Sequence, residues 1–225
     1  MISKELQKRI LSSIILIPIT VFFIYQGSVF FAFFLSIFFL TTSYEWIKMN
    51  KKNSFRFIGI LYLLFSSYLI YLLNHNFSFQ FILVLIICIF TDIGGYIFGK
   101  TFKGPKLTRI SPKKTYSGLI GSFILSIVAA LIYIKYTSFG EATYLEINSM
   151  LLVKAIENNK LFFLIIILFI SLISQIGDLI ISYFKRLSKV KDTGNLLPGH
   201  GGLLDRVDGL IFAMPASYIL FYYLN

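Results

Sequence analysis

Charge is scarce in this sequence, and negative charge is scarcest. Only 14% of its 225 residues are charged, and ten acidic side chains face 21 basic ones. Soluble domains carry about a quarter of their residues as charges, and a soluble monomer of this composition would expose more apolar surface than monomers tolerate. An ordinary globular domain is therefore excluded. The single cysteine, Cys88, cannot form an internal disulfide, and within an apolar block it says nothing of redox compartment. The GxxxxGK[ST] spacing of a Walker loop is absent. So are internal repeats, low-complexity tracts and linkers, and residues 1–225 read as one domain. The one tryptophan, Trp46, falls just past an apolar block, where it fits an interface anchor.

What is abundant is apolar: 57% of residues, in long uninterrupted blocks rather than alternating or heptad patterns. Seven blocks follow one another: Leu11–Tyr25, Val29–Thr42, Phe57–Leu73, Phe79–Phe98, Gly118–Tyr136, Leu161–Phe184 and Leu210–Leu224. They predict an all-α, polytopic helical membrane protein with about seven spans. The first two are short for a crossing of about 20 residues, and Gln26-Gly27-Ser28 reads as a tight turn between them. The basic start (Lys4, Lys8, Arg9) before Leu11 resembles a signal peptide, but no small-residue cleavage site follows, so a retained span is expected. With the N-terminus inside, the loops at 43–56, 99–117 and 185–208 share one side with 18 of the 21 bases. That asymmetry places them in the cytoplasm. Bases confined to loops between apolar blocks suit anionic lipid and phosphate and argue against nucleic acid.

The five aspartates, Asp92, Asp178, Asp192, Asp205 and Asp208, all fall in or against two basic loops. Asp92 and Asp178 close apolar spans, where a carboxylate is costly and marks function more often than structure. Asp205 and Asp208, three apart, would share one face of a helix running from about Leu203. Hard oxygen ligands at that spacing suit Mg²⁺ together with substrate phosphates, although aspartates also collect at helix N-termini for the dipole alone. Residues 1–90 hold the N-terminal spans, and 91–225 the chemistry.

Between these carboxylates runs Ser182 to Asp208, with Lys185, Arg186, Lys189, Lys191 and Arg206 beside the glycine-rich Pro198-Gly199-His200-Gly201-Gly202. Gly201 and Gly202 would let backbone amides reach phosphate oxygens; the alternative is a plain turn. His200 is a phosphate donor, a general base or a structural histidine. A second basic stretch, Ser111-Pro112-Lys113-Lys114-Thr115, could grip another anion or merely orient a span.

The 27 residues from Ser182 to Asp208 resemble, without a gap, the signature of the phosphatidate cytidylyltransferases (CDP-diacylglycerol synthases). Gln175-Ile-Gly177-Asp178 looks like the element preceding that signature. Asp92 to Gly99 with Ser111 to Thr115 looks like a further family motif. Ser117 and Tyr116 depart from it, standing where relatives often carry Glu and Trp. The resemblance implies an enzyme of the bacterial inner membrane, facing the cytoplasm, that joins CTP to phosphatidate and releases pyrophosphate. It further implies a two-metal centre, Mg²⁺ with K⁺, on Asp178 and Asp205, with Asp208 close by. Lys185, Arg186, Lys191 and Arg206 would neutralise the triphosphate, Lys113 and Lys114 a second anion, and Ser111, Ser182, Asp192 and Asp92 would complete the site. A homodimer is left open. The rival readings are a CTP-dependent lipid kinase, marked by release of CDP, and an ion or lipid transporter using Asp92 and Asp178 as a path.

Overall fold

The computed structural model describes residues 18–108, 110–139, 159–196 and 201–224. Its helices are α1 (Ser28–Met49), α2 (Asn53–Asn76), α3 (Ser78–Phe102), α4 (Tyr116–Phe139), α5 (Lys160–Leu187), the single turn α6 (Leu204–Val207) and α7 (Leu210–Leu224). Residues 18–26 are also helical, and the chain breaks at Gly27, whose φ of 64° favours glycine. No strand occurs among the described residues, only an isolated antiparallel bridge between Lys106 and Thr115. The protein is a polytopic helical membrane protein: α1 to α5 are each long and apolar enough to cross a bilayer. The expected first span lies partly outside the described residues, and α7 has only 15 residues. Five of the seven expected crossings are thus seen at full length.

Two expectations change in α1. It continues past Thr42 to Met49, so the block is not short, and the polar residues 43–49 belong to the helix. Trp46 is consequently no interface anchor. It is 6% exposed, its Nε1 donates to the Phe55 carbonyl at 2.9 Å, and its ring stacks edge-on against Phe184. Gly59 admits the indole, since a Cβ there would lie 1.8 Å from Nε1.

The spans pack through small and hydroxyl-bearing residues, as helices must where lipid is as apolar as leucine. Along the α3–α4 seam, a Cβ on Gly94 would sit 2.4 Å from the Gly121 carbonyl oxygen, and one on Gly118 2.8 Å from the Gly95 oxygen. Ser122 Oγ donates to the Thr91 carbonyl at 2.7 Å, and Thr91 Oγ1 meets Ser171 Oγ of α5 at 2.8 Å. In α7, Pro215 cannot return a hydrogen bond to Ile211. That carbonyl instead accepts from Ser66 Oγ at 2.8 Å and Tyr62 Oη at 3.1 Å, which ties α7 to α2. Side-chain hydroxyls satisfying a carbonyl freed by proline are how membrane helices tolerate it.

Candidate active site

The second halves of α3 and α5 reach the same end of the bundle. α5 has 28 residues, and Asp178 lies about 27 Å along its axis from Lys160. That is close to the full apolar thickness of about 30 Å, so the polar residues that follow emerge from it. α5 meets the start of α7 at glycines: a Cβ on Gly177 would fall 2.8 Å from the Asp208 carbonyl oxygen, and one on Gly209 2.4 Å from Ser174 Oγ. This approach brings Asp178 beside Asp208.

After Leu187 the chain reverses. Lys189 N donates to Arg186 O, and Val190 N to Lys185 O, with Lys189 at φ 58°. These bonds form a Schellman motif with lysine where glycine is usual. The turn sends the chain back over the cleft and turns Arg186 outward, where its Nη1 donates to the Val190 carbonyl at 3.3 Å. On the other side, the α3–α4 connection is closed by Ser117 Oγ donating to the Lys103 carbonyl and by Leu107 N to Lys114 O at 2.8 Å.

Between them lies a cleft of about 430 Å³, within the range of ligand sites. Asp92 from α3, Ser111, Lys113 and Lys114 from the connection, and Asp178 and Lys185 from α5 line it. Asp192, Asp205, Arg206 and Asp208 complete it from the C-terminal loop. Lys114 Nζ pairs with Asp178 Oδ2 at 2.5 Å, and Lys185 Nζ with Asp205 Oδ1 at 2.8 Å. Ser182, buried outside the cleft, donates to Asp178 Oδ1 at 3.2 Å and so orients it. Lys191, like Arg186, does not line the cleft. His200 lies outside the described residues.

Three other expectations are revised. Asp205 and Asp208 do not share one continuous helix, because α6 ends at Val207 and α7 begins at Leu210. Neither Gly201 nor Gly202 lines the cleft, and the Gly202 amide, with the two that follow it, is taken by carboxylates. Gly202 N donates to Asp205 Oδ2 at 3.2 Å, while Leu203 N and Leu204 N donate to Glu45 at 2.9 and 2.8 Å. Gly201 serves the turn, at φ 86°. Finally, Asp178, Asp205 and Asp208 do not converge as a ready-made cage; among the described residues no three ligating side chains do. Asp205 Oδ2 already accepts from Thr193 N and Gly202 N, and lies 3.0 Å from Thr193 Oγ1, whose single proton it shares with Glu45.

Glu45 escaped sequence reasoning. It is 1% exposed, far from the signature in sequence, yet bonded to it. The available signal was a glutamate at the end of an apolar span.

The donor set still suits a hard divalent cation, which takes one or two carboxylates and fills the rest of its shell with water and phosphate. Asp178 and Asp208 lie close enough for the charge of one to act on the other. Burial pushes the Asp208 carboxyl well above the usual carboxylate range, and the neighbouring Asp178 charge raises it further. A buried carboxylate beside a second one that is already paired with Lys114 needs a proton or a further cation of its own.

A stability test follows with a definite sign. A carboxyl held above its unfolded value of about 3.9 costs stability as pH rises through the interval between the two values, and the cost persists above it. Asp208→Asn keeps an oxygen for the bond from Gly209 N (3.0 Å) and removes that cost. In metal-free detergent solution the variant is expected to melt above the wild type near neutral pH, with the gap closing towards about pH 4. Added Mg²⁺ should raise the wild-type melting temperature and not the variant's. A variant that melts lower at neutral pH would contradict this.

An all-helical membrane bundle with an acid-and-base cleft at one end defines a class of protein that works on a polar anion beside the bilayer. The comparisons with known proteins name it more closely. A family model described as the cytidylyltransferase family matches residues 54–224. The chain is 36% identical to a phosphatidate cytidylyltransferase of Rickettsia bellii, over 97% of this chain and 94% of that protein. It is 32% identical to the enzyme of that name from Rickettsia felis, over 94% and 90%. Identity to the Bacillus subtilis protein of that name is 40%, over 58% and 42%. This chain belongs to the cytidylyltransferase family.

Proposed function

We propose that this chain is a phosphatidate cytidylyltransferase that transfers CMP from CTP to phosphatidate, giving CDP-diacylglycerol and pyrophosphate. The observation that carries the reading is the cleft, where Lys114–Asp178 and Lys185–Asp205 pairs flank Asp208 at the polar end of an apolar bundle. Phosphatidate can keep its tails in lipid while its phosphate enters that cleft. An oxygen of the phosphatidate phosphate forms a bond to the α-phosphorus of CTP, and the bond from that phosphorus to the bridging oxygen breaks, so pyrophosphate leaves. The nucleophile is already an anion, so no strong general base is needed.

Asp178 and Asp208 would hold Mg²⁺, with Asp205 Oδ1 in reach of a second ion such as K⁺ once Lys185 moves away. The bound metal supplies charge neutralisation and alignment of the phosphates. Lys114 and Lys185 pair with Asp178 and Asp205 and would turn to phosphate oxygens when substrate enters. Lys113 and Arg206 line the same cleft and add positive charge towards the leaving pyrophosphate. The end of the bundle that carries the cleft would face the cytoplasm of a bacterial inner membrane, where CTP is supplied.

The test is pyrophosphate release from CTP by the purified protein with Mg²⁺. Release that requires phosphatidate is expected. CDP in place of pyrophosphate would point to a lipid kinase, and no nucleotide consumption would overturn the reading.

A further inference from the structure

Glu45 lies outside the residues that match the family model, on a helix whose composition suggests nothing beyond a membrane span. Its carboxylate is nevertheless among the most enclosed polar groups described, at 1% exposure. Oε1 accepts from Leu203 N at 2.9 Å, and Oε2 accepts from Leu204 N at 2.8 Å and Thr193 Oγ1 at 3.2 Å. A buried carboxylate is costly unless donors surround it; here three do.

The loop is shaped to admit this side chain. A Cβ on Gly194 would stand 2.9 Å from Glu45 Oε1. One on Gly202 would stand 2.7 Å from Oε2 and 2.1 Å from Thr193 Oγ1. Thr193 is the link onward. Its amide donates to Asp205 Oδ2 at 2.8 Å, and its hydroxyl lies 3.0 Å from the same oxygen. With Oδ2 held, Asp205 can only direct Oδ1 at Lys185 and the cleft.

We infer that Glu45 is a positioning residue for the reaction: α1 clamps the Thr193 hydroxyl and the backbone at 203–204, and through them fixes the orientation of Asp205 in the cleft. Its catalytic consequence rests on the cytidylyl-transfer reading above; the clamp itself does not.

The chemistry of the clamp specifies glutamate. Both oxygens receive backbone N–H groups, so a carboxylate satisfies all three donors, whereas a glutamine places its own N–H₂ against a donor in either flip. Glu45→Gln keeps size and shape yet must break one side of the clamp. Glu45→Asp keeps the charge but is one methylene shorter, so it cannot span both amides from the same backbone position.

The experiment uses the full chain in detergent. Hydrogen exchange at the amides of 202–204 is expected to speed up at least about tenfold in Glu45→Gln, the exchange equivalent of losing one hydrogen bond, while α3 and α4 keep their protection. In the same preparations kcat should fall about 10 to 100-fold with KM for phosphatidate within about twofold, as expected when a transition-state group is misplaced. Thr193→Val, which removes the hydroxyl link, should not multiply with Glu45→Gln: the double variant should lose no more than about twofold beyond the worse single one. Unchanged exchange at 202–204, or losses that multiply, would overturn the inference. Should the wild type release no pyrophosphate, the function reading fails while exchange still decides the clamp.

Discussion

Asn in place of Asp178 is expected to reduce phosphatidate-dependent turnover about 10³-fold or more, equivalent to about 4 kcal/mol of transition-state stabilisation. The substitution is nearly isosteric. It retains an oxygen for the bond from Ser182 Oγ, and the bundle around it has no reason to loosen. What it removes is the charge that faces Lys114 at 2.5 Å and that would hold the metal with Asp208. A carboxylate contributes to phosphoryl chemistry mainly through charge placed in a site with little water, where electrostatic effects are largest. The variant should therefore insert, elute and melt much like the wild type while failing to turn over. An Asp178→Asn protein with a tenth or more of wild-type activity would remove Asp178 from the metal site.

The second large effect concerns stability. Gly94→Ala is expected to lower the melting temperature in detergent by about 2–12 °C, from an overpacking cost of about 1–3 kcal/mol. The clash is with backbone: the new Cβ would lie 2.4 Å from Gly121 O, 2.8 Å from Gly121 C and 2.9 Å from Ser122 Cα. Backbone cannot rotate out of the way, so α3 and α4 must separate, which strains the bond from Ser122 Oγ to Thr91 O. Gly95→Ala is the comparison. Its closest neighbour is the Ser122 hydroxyl at 2.9 Å, a group that can turn, so its loss should be clearly smaller. Equal losses at the two positions would mean that the seam is not held by backbone contact.

These two sites mark what the sequence made legible and what it did not. Apolar blocks predict helices because nothing else satisfies backbone groups in lipid, and α2 to α5 follow the expected blocks with a few residues added at each end. The clustering of all five aspartates near two basic loops was equally visible, and Asp92, Asp178, Asp192, Asp205 and Asp208 do line one cleft. Glycines were harder to read. Gly202 looked like room for a phosphate; it is room for Glu45 and Thr193, a partner more than 140 residues away along the chain. Arg186 and Lys191 looked like Lys185 in sequence, but the turn after α5 directs only Lys185 into the cleft. Trp46 followed the statistics of interface tryptophans, which carry no information about the space opposite Gly59.

The most direct measurement of the central claim follows the phosphorus atoms of CTP. The purified protein would be given phosphatidate, Mg²⁺ and CTP labelled either at the α- or at the γ-phosphorus, and the lipid would be extracted. Cytidylyl transfer predicts that the α label appears in lipid and the γ label leaves in pyrophosphate. A γ label in the lipid, or no label there from either nucleotide, would contradict it.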